Sequence, residues 1–177
     1  MGALNQSRTK FPLVLWIGSA LFIVYGTTIP FNFVSSRAAV YEHWTRVVWN
    51  PLVSPDTGQR VSIPDFVSNV LLFTPFGCFG MWAFRRPRNG VARIAVLTLL
   101  SVILSATVEV AQLFTVDRVS SVADIFANGL GGVVGAVGGV LLGATAGTLI
   151  DGAAAAGLTD AAAFFPLLQC PTFAKIR

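Results

Sequence analysis

Residues 11–29 (FPLVLWIGSALFIVYGTTI) are apolar or small at almost every position, follow Arg8 and Lys10, and stop at Pro30. A helix of that length spans a hydrocarbon core of about 30 Å. Three further runs of the same kind follow, at residues 65–84, 93–116 and 124–150. The pattern predicts an all-α integral membrane protein, a bundle of four transmembrane helices. A cleaved signal peptide shares the basic start of the first run and its small residues near Gly26 and Thr28. The first run is longer than a signal's apolar core, so the span is the preferred reading.

The intervening segments differ in character. Between the first two spans the chain is polar, aromatic and broken by Pro51, Pro55 and Pro64, with Tyr41, Trp44 and Trp49 suited to an amphipathic piece at the membrane interface. Dense basic residues flank the spans on one side: Arg8 and Lys10, then Arg85, Arg86, Arg88 and Arg93. By the positive-inside rule that side is cytoplasmic, which puts both termini inside and the aromatic loop outside. Residues 1–150 then form one transmembrane domain. The alanine-rich residues 151–177, interrupted by Gly157 and Pro166, read as a disordered cytoplasmic tail touching the membrane through Phe164 and Phe165.

Composition agrees: of 177 residues, 54% are hydrophobic and 11% charged, with a mean hydropathy of +0.73, outside the range of ordinary soluble domains. The net charge of +4 comes from clusters that orient spans, and nothing forms the basic, aromatic-interleaved face that nucleic acid requires. Cys78 and Cys170 fit neither a metal pair nor a disulfide framework and read as inert thiols. The lone histidine, His43, reads as a solvated loop residue rather than a catalytic base.

With this topology the polar residues of the spans gather at the outer end. Asp65 and Asn69 open the second span, Glu109 and Gln112 close the third, and Asp124 and Asn128 open the fourth. Spacings of three or four place each pair on one helical face. Glu109 is expected roughly 10 Å deep at 1.5 Å per residue, where an ionisable group needs a bundle interior or a wet cavity and a partner. Arg118, in the following short loop, is the expected partner, with Arg60 a second choice.

Three other features stand out. The segments DFVSN (from Asp65) and DIFAN (from Asp124) suggest a weak internal repeat, although shared helix-capping logic explains the match equally well. Gly131, Gly135, Gly139, Gly143 and Gly147 form a stripe for close helix packing, against the second span or against a second copy or another membrane protein. Pro75, near the middle of the second span, is expected to kink it and splay its outer half.

Taken in order, P30-F-N, D65-F-V-S-N-V-L-L-F-T-P-F-G, V108-E-V-A-Q-L-F with D117-R-V, and D124-I-F-A-N-G-L-G-G-V-V-G resemble the motifs of the VanZ-like family over roughly residues 26–139. The resemblance implies a small multi-pass protein of the bacterial plasma membrane, in a family associated with resistance to the glycopeptide teicoplanin. It implies no settled reaction, and leaves cofactor and metal open. Its polar signature falls on Asp65, Asn69, Glu109, Gln112, Arg118, Asp124 and Asn128, and the long tail departs from it.

Three functions fit. The first is an outward-facing site, enzymatic or binding, for a lipid-linked or cell-wall substrate. There Asp65, Glu109 and Asp124 would do acid–base work or bind a hard cation, and Arg118, Asn69, Gln112 and Asn128 would hold the substrate. The second is an accessory or assembly protein whose polar residues lock helix register. A site is preferred, because interhelical polar contacts return only about 0.6 kcal/mol each against their insertion cost. Lipid flipping or transport ranks third, since the inner halves of the second and fourth spans carry no continuing polar path.

Overall fold

The computed structural model describes residues 2–29, 31–34, 36–54, 60–84, 87–116 and 118–155, with side chains described between residues 11 and 145. It contains helices α1 (Gly2–Thr28), α2 (Arg37–Thr45), α3 (Ile63–Ala83), α4 (Gly90–Gln112) and α5 (Val122–Ala155). Four stretches within them, Phe11–Thr28, Ile63–Ala83, Gly90–Gln112 and Val122–Thr145, are long and apolar enough to cross a membrane. The chain is a multi-pass, all-helical membrane protein. Bulky apolar residues such as Leu21, Leu71, Leu99 and Leu141 point outward, as lipid-facing residues do, whereas Ser101 and Ser105 are buried.

The helix ends depart from expectation for local reasons. α3 begins at Ile63, with Ser62 at the N-cap position and Pro64 in the first turn, where its missing N–H costs nothing. α4 begins before Arg93 because the Asn89 side chain accepts from the Val91 amide at 2.9 Å. α5 begins at Val122, its first turn capped by Ser121, whose Oγ accepts from the Ala123 amide at 3.1 Å. Asp65 and Asp124 therefore sit inside first turns, where a carboxylate suits the helix dipole, and neither is a cap. α5 also runs on to Ala155, so the segment read as a disordered tail starts as helix; residues 156–177 lie outside the described residues.

Arg93 likewise leaves the flanking basic cluster to which its charge assigned it. It is buried in the first turn of α4, and its Nη1 donates to the Phe84 carbonyl at 3.0 Å, closing the α3–α4 turn. A cationic flanking residue has become a covalently long tether between two helix ends.

α3 and α5 run parallel as the central pair, and glycine sets their distance. A Cβ at Gly131 would fall 2.9 Å from that of Phe73; at Gly135, 2.8 Å from the Thr74 carbonyl carbon; at Gly139, 3.0 Å from the Cys78 carbonyl oxygen. Gly131, Gly135 and Gly139 of the stripe are thus occupied by α3 of the same chain. Contact continues on both sides of Pro75, and the outer half of α3 is not splayed from α5. Gly132 meets Ser101 of α4 in the same way. α1 packs from outside, with Trp16 against Phe76 at 5.0 Å and Phe84 at 4.8 Å, and with Ile23 fully buried beside Phe73 and Val108. That packing suits a resident span.

The two loops at the other end are stitched together. The Val34 amide donates to the Phe114 carbonyl at 2.7 Å and the Val116 amide to Asn32 at 3.0 Å. The Val48 amide donates to Ser120 at 3.0 Å, and the Val122 amide returns to Val48 at 3.0 Å. These bonds end α4 at Gln112 and put the α1–α3 and α4–α5 connections on one side of the bundle. α2 carries exposed Tyr41 and Trp44, the latter edge-on to Trp49 at 5.8 Å, with a surface Glu42–Arg46 ion pair.

Candidate functional site

α3 and α5 enter the bundle side by side from the stitched loops, so their first two turns lie level, and α4 arrives at the same level with its last turn. Helical spacing then turns Asp65/Asn69, Glu109/Gln112 and Asp124/Asn128 toward one another. Together they line one cavity of about 390 Å³, and Arg118 lines it from the α4–α5 loop. All seven residues singled out from the sequence meet there. The volume lies within the roughly 300–1,000 Å³ usual for small-ligand sites.

Hydrogen bonds fix the walls. Asn69 Nδ2 donates to Asp124 Oδ1 at 2.6 Å, tying α3 to α5. Asn128 Nδ2 donates to Ser105 Oγ at 2.8 Å, tying α5 to α4, and Asn128 is 4% exposed with its Oδ1 lacking a protein partner. Glu109 Oε2 accepts from the Ser121 amide at 2.8 Å, and Ser120 Oγ donates to the Glu109 carbonyl at 2.7 Å. The carboxylate side of the cavity is therefore anchored to backbone.

Several expectations are corrected. Glu109 accepts its hydrogen bond from the Ser121 amide, while Arg118, exposed and making no ion pair with it among the described residues, acts on it only as a nearby charge across the cavity. Because α4 stops at Gln112, Glu109 lies in the final turn, only about 4.5 Å along the axis from the helix end. Its burial comes from the loop folded over it. Arg60 lines a separate, mostly apolar groove with Leu52, Ile63, Phe66 and Phe126. His43 is not free in solvent: its Nδ1 lies 3.0 Å from the Leu113 carbonyl, donating there and pinning α2 to the end of α4.

Other residues of the site escaped the sequence reading. Ser101, Ser105, Glu109 and Gln112 form one buried stripe on α4, while Thr107 is exposed on another face. The spacing of four and three that groups Glu109 with Gln112 extends back to both serines. Ser121, three residues before Asp124, carries the S-x-x-D signature of a helix start. Ser54 and Thr27 line the cavity with no comparable signal, because they reach it through the loop and α1.

Chemically, the cavity holds three carboxyl groups at different exposures, a rim guanidinium and three amides. Among the described residues no three His, Cys, Asp or Glu side chains are grouped to share a metal ion. The set offers more acceptors than donors and so is suited to a ligand that brings N–H or O–H groups.

No curated protein and no solved structure matches the chain. A family model described as VanZ/LLP1 matches residues 8–143, from just before the first span well into α5 and across every residue lining the cavity. The chain belongs to the VanZ/LLP1 family.

Proposed function

We propose that this protein resides in the bacterial plasma membrane and uses its polar cavity, opening outward, to bind or modify the polar part of a lipid-linked or cell-wall substrate, contributing to glycopeptide (teicoplanin) resistance. The observation that carries the reading is the meeting of seven polar residues from three helices and a loop in one cavity. Ionisable groups inside membrane helices are costly and are kept mainly for function. The outward direction is supported by Arg8, Lys10, Arg85, Arg86 and Arg88, which in the sequence flank the other ends of the first three spans. Asp65 and Glu109 are the acid–base candidates, with Asp124 held by Asn69; Arg118 would hold an anionic group at the rim.

A second reading, a non-catalytic assembly protein, is favoured by the Asn69–Asp124, Asn128–Ser105 and Glu109–Ser121 bonds, each of which crosses between structural elements. Single replacements Asp65→Asn, Arg118→Ala, Glu109→Gln and Asp124→Asn separate the two, with folded yield in detergent set against glycopeptide susceptibility. Asp65 and Arg118 are exposed, so they discriminate best. Normal folding with a lost phenotype supports a site; parallel loss of folding in all four sinks it. Labelling of a cysteine placed at Val119 from outside the cell tests the orientation.

A further inference from the structure

The cavity's charge balance does not suit a ligand that carries negative charge alone. Asp65, Glu109 and Asp124 line it against the single guanidinium of Arg118, and with one carboxyl protonated the remaining two still outnumber it. Acceptors also exceed donors at depth: Asn128, 4% exposed, has its amide hydrogen on Ser105 and its Oδ1 without a protein partner. A buried acceptor in this position calls for an N–H or O–H donor. The carboxyl groups are not clustered as a metal-binding set among the described residues.

An ammonium group answers both needs, and the lining decides its kind. Phe22 is the one aromatic residue among those lining the cavity, so there is no aromatic cage of the sort that holds a quaternary ammonium. A primary ammonium offers three N–H donors instead. The exposed Arg118 at the rim suits a phosphate a short distance from that ammonium. On the α1 side the lining faces lipid: Phe22 is 64% exposed on the bundle surface, and a Cβ at Gly26 would meet nothing within 4 Å.

We infer that the cavity takes the headgroup of a membrane amphiphile carrying a primary ammonium next to a phosphate, a phosphoethanolamine-type lipid, with the ammonium among Asp65, Glu109 and Asn128 and the phosphate at Arg118. This rests on the cavity being a binding site and specifies its ligand class.

The test uses the full chain in detergent, titrated with short-chain phosphatidylethanolamine, phosphatidylcholine or phosphatidylglycerol, or with soluble phosphoethanolamine, and follows the thermal-unfolding midpoint by tryptophan fluorescence. Phosphatidylethanolamine gives a saturable rise that the choline and glycerol lipids do not. Its apparent affinity falls about tenfold in Asp65→Asn and in Glu109→Gln, the loss expected for one charge-assisted hydrogen bond. Asp65 is exposed, so its variant remains informative if the Glu109 variant folds poorly. Equal binding of phosphatidylcholine or phosphatidylglycerol, weakened by the same variants, overturns the ammonium assignment and leaves the binding site standing. Equal binding of soluble phosphoethanolamine overturns the membrane source. Absence of any shift sensitive to Asp65→Asn overturns the inference, while the site on which it rests falls only if the susceptibility test fails as well.

Discussion

Asn69 on α3 and Asp124 on α5 meet at 2.6 Å across the central helix pair at the bundle's polar end, one amide hydrogen joining two residues 55 positions apart in sequence. The bond closes the α3–α5 side of the cavity above the first glycine contact. A double-mutant cycle with Asn69→Ala and Asp124→Ala should return a coupling of about 1 kcal/mol in detergent unfolding, above the roughly 0.6 average for membrane interhelical bonds because one partner is a carboxylate. Strict additivity would show that the contact contributes nothing.

The glycine seam below it should be far less tolerant. Gly135→Leu forces a side chain into the Thr74–Cys78 backbone and should abolish the folded, monodisperse peak in size-exclusion chromatography. Gly138→Leu, with nothing within 4 Å of its Cβ, should behave as wild type. Equal yields from the two would refute the packing described.

Glu109 acts on the loop that covers it. In Glu109→Ala the Ser121 amide loses its acceptor, and that amide should exchange hydrogen at least about tenfold faster, consistent with about 1–3 kcal/mol for a lost buried acceptor. Glu109→Gln keeps an acceptor oxygen and should retain most of the protection. Hydrogen exchange resolved by mass spectrometry reads both.

His43→Ala removes the pin between α2 and the Leu113 carbonyl. Limited proteolysis should then cut within residues 37–45 sooner, with a global cost of about 1 kcal/mol, while the transmembrane core stays intact. Unchanged cleavage would mean that the bonds at Val34 and Val48 hold the loop without it.

How much of this was legible in the sequence depends on what carries the signal. Span number and the gathering of Asp65, Glu109 and Asp124 follow from apolar run length and helical period, which are local. The partner of Glu109 was not legible, since charge alone favoured Arg118 while the bond goes to a backbone N–H, and every residue has one. Arg93 shows the same limit: it was read as the first residue of the third span, within the flanking basic cluster, but the Asn89 cap starts α4 earlier and carries it inside. The interchange between the two loops rests on backbone pairing, which leaves little mark on side-chain identity. Pro75 was read from the rule for soluble helices. Here α5 holds α3 on both sides of it.

The seam of Gly131, Gly135 and Gly139 against α3 has one more effect. It brings backbone against backbone below the polar chamber, leaving no gap that a hydrated headgroup could thread. Along this pair of helices the chamber has a floor of packed backbone, and a headgroup passing between α3 and α5 would have to part them at each of those glycine contacts.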